Sequence, residues 1–221
     1  MAHALARDAV HAELDEGALI GSLPSRPLVV SSAAGDRRTY LLRPDLGRRL
    51  GDGAAAALNG HAGEFDLVVV LGDGLSALAL QRHAGPLLRA LLPMLNRWRM
   101  APLVLVRGAR VAVGDAVAGA IGAGAVLMML GERPGLSAPD SLGAYATWAP
   151  GVGTTDAERN CVSNIRPEGL GYAEAAYRLA HLLERMRRTR FSGVGLKDES
   201  EGLGLALPPS PGPRPVAGEG F

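Results

Sequence analysis

The stretch FDLVVVLGDGLSALALQRHAGPLLRALLPMLNRW, residues 65–98, decides the fold of this chain. Residues 66–71 form an almost continuous apolar run of strand length, which is typical of a central parallel strand covered on both faces. A glycine turn follows, and residues 75–97 then show a helical pattern that Pro86 and Pro93 are expected to break or restart. The stretch therefore predicts a strand, a tight turn and a helix, the repeating unit of an α/β protein.

Further strands and helices are predicted on both sides of this unit. The predicted helices cover residues 2–15, 44–59, 115–122 and 172–186, and the predicted strands cover residues 102–106, 125–130, 142–149 and 162–165. A hairpin is predicted between residues 27–32 and 39–42, because β-branched residues flank a Gly-Asp turn there. Strands that alternate with helices indicate a doubly wound, mostly parallel sheet.

Composition limits both the organisation and the class of the protein. The chain has 221 residues, 48% of them hydrophobic and 20% charged, which describes an ordinary globular protein with one main core. We expect a short N-terminal helical segment over residues 1–25, an α/β domain over residues 26–198 and a disordered Pro/Gly-rich tail over residues 199–221. A net charge of +1 argues against a nucleic-acid binder. No apolar run is long enough to cross a bilayer, and a single cysteine suggests a cytoplasmic protein.

The turn LGDGLSA, residues 71–77, matches the G-x-G-x-x-A pattern of dinucleotide-binding proteins. An oxidoreductase would use Gly72 and Gly74 to bring the backbone close to a pyrophosphate. However, Asp73 lies inside the turn, where its charge would repel a phosphate, and the next strand lacks the acid expected at a ribose hydroxyl. The alternative is a tight strand–helix turn in which Asp73 or Ser76 caps the helix.

The segment GERPGLSAPDSLGAY, residues 131–145, follows a predicted strand and therefore lies at the sheet edge where α/β proteins bind ligands. Glu132 and Arg133 would stand at the rim of such a crevice, held by the Pro-Gly turn that follows them. The alternative is a surface ion pair between these two side chains, which would contribute under about 1 kcal/mol and have no functional meaning.

Cys161 is the one cysteine of the chain and lies in the polar stretch TDAERNCVSNIRPEGL, residues 155–170. It could be a buried structural thiol, because free cysteine often behaves as a small hydrophobe. It could also be a catalytic thiolate whose pKa Arg159 lowers. A metal site is not expected, because the five histidines are scattered and no second cysteine exists.

Four ordered blocks of the sequence resemble the small (light) subunit of ethanolamine ammonia-lyase. They are RPDLGRRL, VVLGDGLSA, GERPGLSAPDSLGAY and ERNCVSNIRPEGLGYAEAA, and the resemblance extends from about residue 7 to about residue 197. It implies a Rossmann-like α/β domain that pairs with a large subunit, with adenosylcobalamin at the junction between the two. It also implies that the holoenzyme converts ethanolamine to acetaldehyde and ammonia. Relative to the family, the N-terminal region is expected to be shortened.

The resemblance also implies three cobalamin-binding residues: Val111, Glu132 and Cys161. The rim of a corrin carries amide groups that donate hydrogen bonds, and a carboxylate such as Glu132 can only accept them. Val111 would offer apolar contact and backbone groups, and Cys161 a compact, polarizable atom. No catalytic residue is expected in this chain, because the resemblance places the substrate pocket in the large subunit.

Several further expectations follow from the resemblance. The chain should be inactive alone and lie in the cytoplasm or within a bacterial microcompartment, and its charge and apolar runs already predict that it binds neither nucleic acid nor membrane. Two other functions stay open from the sequence. One is a dinucleotide-binding oxidoreductase that uses Gly72 and Gly74, and the other is a non-catalytic assembly protein derived from the lyase subunit.

Overall fold

The computed structural model describes residues 13–135 and 140–196, and within these ranges the chain forms one six-stranded sheet with helices on both faces. The strands are β1 (Leu28–Ser31), β2 (Phe65–Gly72), β3 (Val104–Arg107), β4 (Ala123–Gly131), β5 (Leu142–Trp148) and β6 (Arg159–Ile165). The helices are α1 (Glu16–Ser22), α2 (Arg37–Leu42), α3 (Ala54–Asn59), α4 (Ala77–Leu91), α5 (Val113–Ile121) and α6 (Tyr172–Thr189). Short 3-10 turns cover Leu46–Arg48, Leu92–Leu95 and Asp156–Glu158.

The sheet is mixed, with the strand order β1-β3-β2-β4-β5-β6. The first four of these strands are parallel, whereas β5 runs antiparallel to β4, and β6 runs antiparallel to β5. The expected α/β class is thus confirmed, but a Rossmann-like, doubly wound parallel sheet is not. The physical reason is the shortness of the connections over residues 132–141 and 149–158, since a parallel partner needs a crossover of a dozen or more residues.

The core lies in two layers because side chains alternate along the central strands. Leu67, Val69 and Leu71 of β2 pack under α4 and α6, and we call this side of the sheet face A. Val68 and Val70 point the other way, toward α3 and α5, on what we call face B. Complete burial of these five side chains confirms the central strand that the apolar run predicts.

Helix cover is uneven between the two halves of the sheet. On face B, α3 packs against β1, and α5 packs against β2 and β4. Strands β5 and β6, in contrast, receive their main helix contacts from α4 and α6 on face A. Tyr145 of β5 and Arg159 of β6 are among the residues that line a cleft on this half of the sheet.

Three local predictions from the sequence are wrong. The hairpin does not form: β1 pairs with β3 in parallel, and residues 39–42 belong to α2, because the Asp36 carboxylate accepts from the Thr39 amide and caps a helix there. The helix expected over residues 44–59 is interrupted, since α3 begins only after Gly53, whose φ is +74°. Pro86 does not break its helix but lies inside α4.

Some predictions fall outside the described residues. Most of the helix expected over residues 2–15 does so, as does the tail over residues 199–221, and the described helix α1 begins at Glu16. The division into three segments therefore stays a prediction. Within residues 13–135 and 140–196, no helix is long and apolar enough to span a bilayer.

Candidate functional site

The glycine turn between β2 and α4 is filled by the protein itself. Ser76 caps α4, with its hydroxyl accepting from the Ala79 amide at 3.2 Å. Gly74 has a φ of +56°, and a Cβ added there would lie 2.3 Å from the Gly131 carbonyl oxygen of β4. The glycine therefore allows two backbones to approach closely. This agrees with the hypothesis of a tight strand–helix turn and not with that of a dinucleotide-binding loop.

Asp73 uses the amides that a pyrophosphate would need. Its Oδ1 accepts from the backbone amides of Gly74 and Ala109, both at 3.1 Å, and its Oδ2 lies 3.7 Å from a guanidinium nitrogen of Arg37. Burial raises the pKa of Asp73, while the Ala109 amide and Arg37 oppose that rise. This occupied turn does not favour dinucleotide binding.

A separate cleft of about 780 Å³ lies on face B, at the carboxyl edge of the parallel strands. Its wall combines α2 and the 3-10 turn that follows it, the turn after β2, the loops after β3 and β4, one side chain of β5 and the segment that enters β6. The lining residues are Tyr40, Pro44, Arg48, Leu75, Arg110, Val111, Ala112, Leu130, Gly131, Glu132, Arg133, Tyr145, Thr154, Thr155, Asp156 and Arg159. The cleft is partly open to solvent, so it could enclose only part of a large ligand.

The structure brings the three residues singled out by sequence into one neighbourhood. Val111 and Glu132 line the cleft directly, on the loops after β3 and β4. Cys161 lies on β6 opposite Tyr145 of β5, in register, and Tyr145 is part of the cleft wall. Val111 and Tyr145 also pack against the same core layer on face B.

The Glu132 carboxylate is held in a fixed orientation. Its Oε2 accepts from the Ser141 hydroxyl at 2.7 Å and from the Asn164 backbone amide at 3.3 Å. Gly143 makes room for this group, since a Cβ there would lie 2.8 Å from Glu132 Oε1. Within the described residues, Oε1 accepts no hydrogen bond, and no ion pair joins Glu132 to Arg133. The surface ion pair considered for these two residues is therefore not formed.

The thiol of Cys161 is held in its protonated form. Cys161 is exposed, yet partial desolvation by the surrounding groups raises the pKa of its thiol to about 11. A hydrogen bond with Tyr145 lowers that pKa, and the negative charge of Glu132 raises it. Desolvation and the neighbouring Cys161 also raise the pKa of the Tyr145 phenol. The site therefore presents a neutral thiol and a neutral phenol side by side.

Arg159 does not lower the pKa of this thiol, contrary to one sequence hypothesis. Its guanidinium forms a two-pronged ion pair with the Asp115 carboxylate of α5, at 2.6 and 2.7 Å, and also donates to the Thr147 hydroxyl at 3.1 Å. Both charged side chains are at least nine-tenths buried. The pair therefore links α5 to the first residue of β6 and holds this part of the cleft wall in position.

We expect Cys161 to react slowly with alkylating agents near neutral pH despite its exposure. Only the thiolate is nucleophilic, and a pKa raised from 9.0 to about 11 leaves about 100-fold less thiolate at pH 7.5. The rate of iodoacetamide addition, followed by mass spectrometry, should rise about tenfold per pH unit up to pH 10. In Tyr145→Phe the reaction should be slower still, because the hydrogen bond that lowers the pKa is gone. Alkylation of the wild-type chain at the rate of free cysteine would contradict this account.

Sequence reasoning missed several residues of the cleft. Tyr40 and Arg48 are eight positions apart and Arg110 follows 62 positions later; Arg48 lies in the RPDLGRRL block but was not singled out there. Arg110 precedes Val111 and could have been found as its neighbour in the ARVAVGD stretch. Tyr145 could have been found only by deciding which side chains of the strand predicted over residues 142–149 face the cleft.

Fold and cleft together define a class: an α/β protein with an open, ligand-sized cleft at the carboxyl edge of its parallel strands. Comparison with known proteins gives the family. The sequence pattern of the ethanolamine ammonia-lyase light chain (EutC) matches residues 1–197. The chain therefore belongs to the ethanolamine ammonia-lyase light-chain family.

Individual relatives agree with this assignment. The chain is 53% identical over 210 residues to an ethanolamine ammonia-lyase small subunit of Xanthomonas campestris pv. campestris, covering 91% of this chain and 77% of the relative. It is 54% identical over 209 residues to the Azotobacter vinelandii small subunit, covering 90% and 77%, respectively. A small subunit from Pseudomonas fluorescens is 52% identical over 209 residues, covering 90% and 76%.

Proposed function

We propose that this chain binds adenosylcobalamin jointly with the large subunit of ethanolamine ammonia-lyase, and that the resulting holoenzyme converts ethanolamine to acetaldehyde and ammonia. The observation that carries the proposal is the partly open cleft, in which a fixed carboxylate and an apolar residue lie together, with a neutral thiol on the adjoining strand beside the lining residue Tyr145. A cleft that is partly open to solvent fits a cofactor that is shared between two subunits.

The residues present fit the periphery of a corrin. Glu132 Oε1 is an acceptor without a hydrogen-bond partner among the described residues, and the corrin amides are donors that require such acceptors. Val111 is half-buried against the core of face B and would pack against the ring edge. Cys161, as a protonated thiol, would contact the ring without bringing a charge.

The cofactor, when bound, supplies the radical chemistry, and this chain's residues orient it and exclude water from one side. We assign no catalytic residue to this chain. Within residues 13–135 and 140–196, no group of three or more His, Cys, Asp or Glu side chains is placed to hold a metal ion. A cytoplasmic location, inside or outside a bacterial microcompartment, stays a prediction.

Co-expression with a large subunit tests the proposal. We expect the two chains to copurify and to release acetaldehyde from ethanolamine only when adenosylcobalamin is added, while each chain alone is inactive. A complex that forms but neither binds cobalamin nor releases acetaldehyde would favour the assembly-protein alternative. Saturable binding of NADH by the isolated chain would favour the oxidoreductase alternative, which the occupied amides around Asp73 argue against.

Replacement of Glu132 by alanine should weaken cofactor binding in the complex by about 10–100-fold. A hydrogen bond to a charged group contributes about 1.5–3 kcal/mol, and about 1.4 kcal/mol changes a dissociation constant tenfold. Equilibrium dialysis of adenosylcobalamin, followed by its visible absorbance, measures the change. Glu132→Gln, which keeps an acceptor oxygen, should bind with intermediate affinity.

A matched control is Glu64→Ala, which removes a carboxylate that is 93% exposed near the amino end of β2. Its affinity for the cofactor should equal that of the wild type. Melting temperatures of all three variants check that the complex stays folded. Equal cofactor binding by Glu132→Ala and the wild type would refute the role of this carboxylate.

A further inference from the structure

Three arginines that line the cleft have no carboxylate partner among the described residues: Arg48, Arg110 and Arg133. Arg48 and Arg110 belong to the part of the cleft that Tyr40 and Pro44 also line. Most other arginines near this part of the sheet are neutralised, for example Arg37 by Asp73 and Arg159 by Asp115. The contrast indicates that this part of the cleft carries uncompensated positive charge.

Arg110 is fixed in place rather than free in solvent. Its guanidinium lies 4.4 Å from the centroid of the buried Tyr40 ring, a cation–π distance. Its aliphatic stem packs so close to Gly47 that a Cβ there would lie 2.9 Å from Arg110 Cγ. Its backbone amide donates to the Gly47 carbonyl at 2.8 Å. The guanidinium is therefore oriented before any ligand binds.

The Nε of Arg110 is buried and makes no hydrogen bond to the described part of the chain. A buried donor without a partner is unfavourable, and more so when the group is charged. The two carboxylates of the cleft do not relieve it, because Glu132 accepts from Ser141 and Asn164, and Asp156 lies 3.4 Å from Arg159. Because Nε itself is covered by protein, an anion in the cleft would meet the terminal nitrogens of the Arg110 guanidinium, which have no hydrogen-bond partner among the described residues.

We propose that Arg110, assisted by Arg48, binds the phosphodiester in the nucleotide tail of the cofactor. This inference rests on the proposed function and names the part of the cofactor that this region of the cleft recognises. The corrin side chains are neutral amides, so the phosphodiester is the anionic group on the periphery of adenosylcobalamin. Arginine suits it because the planar guanidinium donates hydrogen bonds to phosphate oxygens in a fixed geometry.

The test compares two ligands that differ in this tail. Adenosylcobinamide has the corrin and the adenosyl group but lacks the nucleotide tail and its phosphodiester. In the complex with the large subunit, Arg110→Ala should weaken adenosylcobalamin binding by about 10–100-fold, as expected for loss of a charge-assisted hydrogen bond. Adenosylcobinamide binding should change less than about twofold, because it makes no such bond. Equilibrium dialysis gives both dissociation constants.

Two further variants show whether weaker binding reflects the loss of a specific contact or only a loss of folding. Arg48→Ala removes an exposed side chain and should weaken cobalamin binding selectively, but less than Arg110→Ala does. Arg26→Ala removes an exposed positive charge next to the amino end of β1, outside the cleft, and should leave both ligands unaffected. Inorganic phosphate in excess should not tighten adenosylcobinamide binding.

Several results would overturn the inference. Equal weakening of both ligands by Arg110→Ala would assign the residue a structural role. Tightening of adenosylcobinamide binding by inorganic phosphate, dependent on Arg110, would mean that the site binds a separate anion. Dissociation of the variant subunits without cofactor would mean that Arg110 pairs with an acidic residue of the large subunit. Failure of the wild-type complex to bind adenosylcobalamin would instead refute the proposed function.

Discussion

Replacing Gly131 by alanine should prevent the chain from folding, or lower its free energy of unfolding by more than about 3 kcal/mol. Gly131 ends β4 directly beside the turn that follows β2. An added Cβ would lie 2.0 Å from the Ser76 carbonyl oxygen and 2.7 Å from the Asp73 carbonyl oxygen. Both are backbone atoms, and their residues are fixed by the cap of α4 and by the hydrogen bonds of the Asp73 carboxylate. Moving either carbonyl group away would therefore disturb these hydrogen bonds and cost free energy.

Soluble yield and urea unfolding, followed by circular dichroism, measure this effect. Gly124→Ala is the matched control, because it makes the same change on the same strand. There the nearest atom to an added Cβ is 3.6 Å away, an ordinary contact. A glycine replaced where there is room loses entropy mainly from the unfolded chain, so this variant should be unchanged or slightly more stable. Similar stabilities for the two variants would contradict the close contact between β4 and the turn.

Asp115→Ala should lower the free energy of unfolding by about 3–5 kcal/mol, since it leaves the charge of Arg159 buried without its partner. Both hydrogen bonds between these side chains, at 2.6 and 2.7 Å, would be lost. Urea unfolding again gives the value. Asp45→Ala is the control, since Asp45 makes a similar two-pronged pair with Arg43 whose side chains are more than half exposed. The control should be nearly as stable as the wild type, because water screens an exposed pair.

A second variant separates the buried charge from the lost packing. Asp115→Ala combined with Arg159→Leu removes both charges, so no ion is left in the interior. The double variant should be more stable than Asp115→Ala alone, because an apolar replacement of a buried pair is often neutral. If Asp115→Ala cost no more than Asp45→Ala, the pair would not brace the cleft as described.

Features of the fold that depend on the pattern of neighbouring residues were predicted correctly from the sequence. The apolar run of β2, the cap at Ser76 and the amphipathic α6 all follow from neighbouring residues, and the structure has them. The alternation along residues 142–149 also predicted β5, although not its antiparallel direction. Direction depends on how far the chain must travel between strands, which a strand's own residues do not encode.

The cleft was predictable only in part. Resemblance to a family pointed to Val111, Glu132 and Cys161, and the structure places them close together. The pair Asp115–Arg159 was not found, because its members are 44 positions apart in the chain. The same holds for Tyr40 and Arg110. Contacts between distant residues arise from tertiary packing, and no local period or motif reveals them.

Strand order has a consequence for the chain as it leaves the ribosome. β1 and β2 are synthesised first but are not neighbours, because β3 lies between them in the sheet. Until β3 emerges at Arg107, neither can form the ladder hydrogen bonds of the sheet. The nascent polypeptide therefore carries an apolar β2 without a partner strand for dozens of residues of elongation, a stage at which chaperones commonly bind such segments.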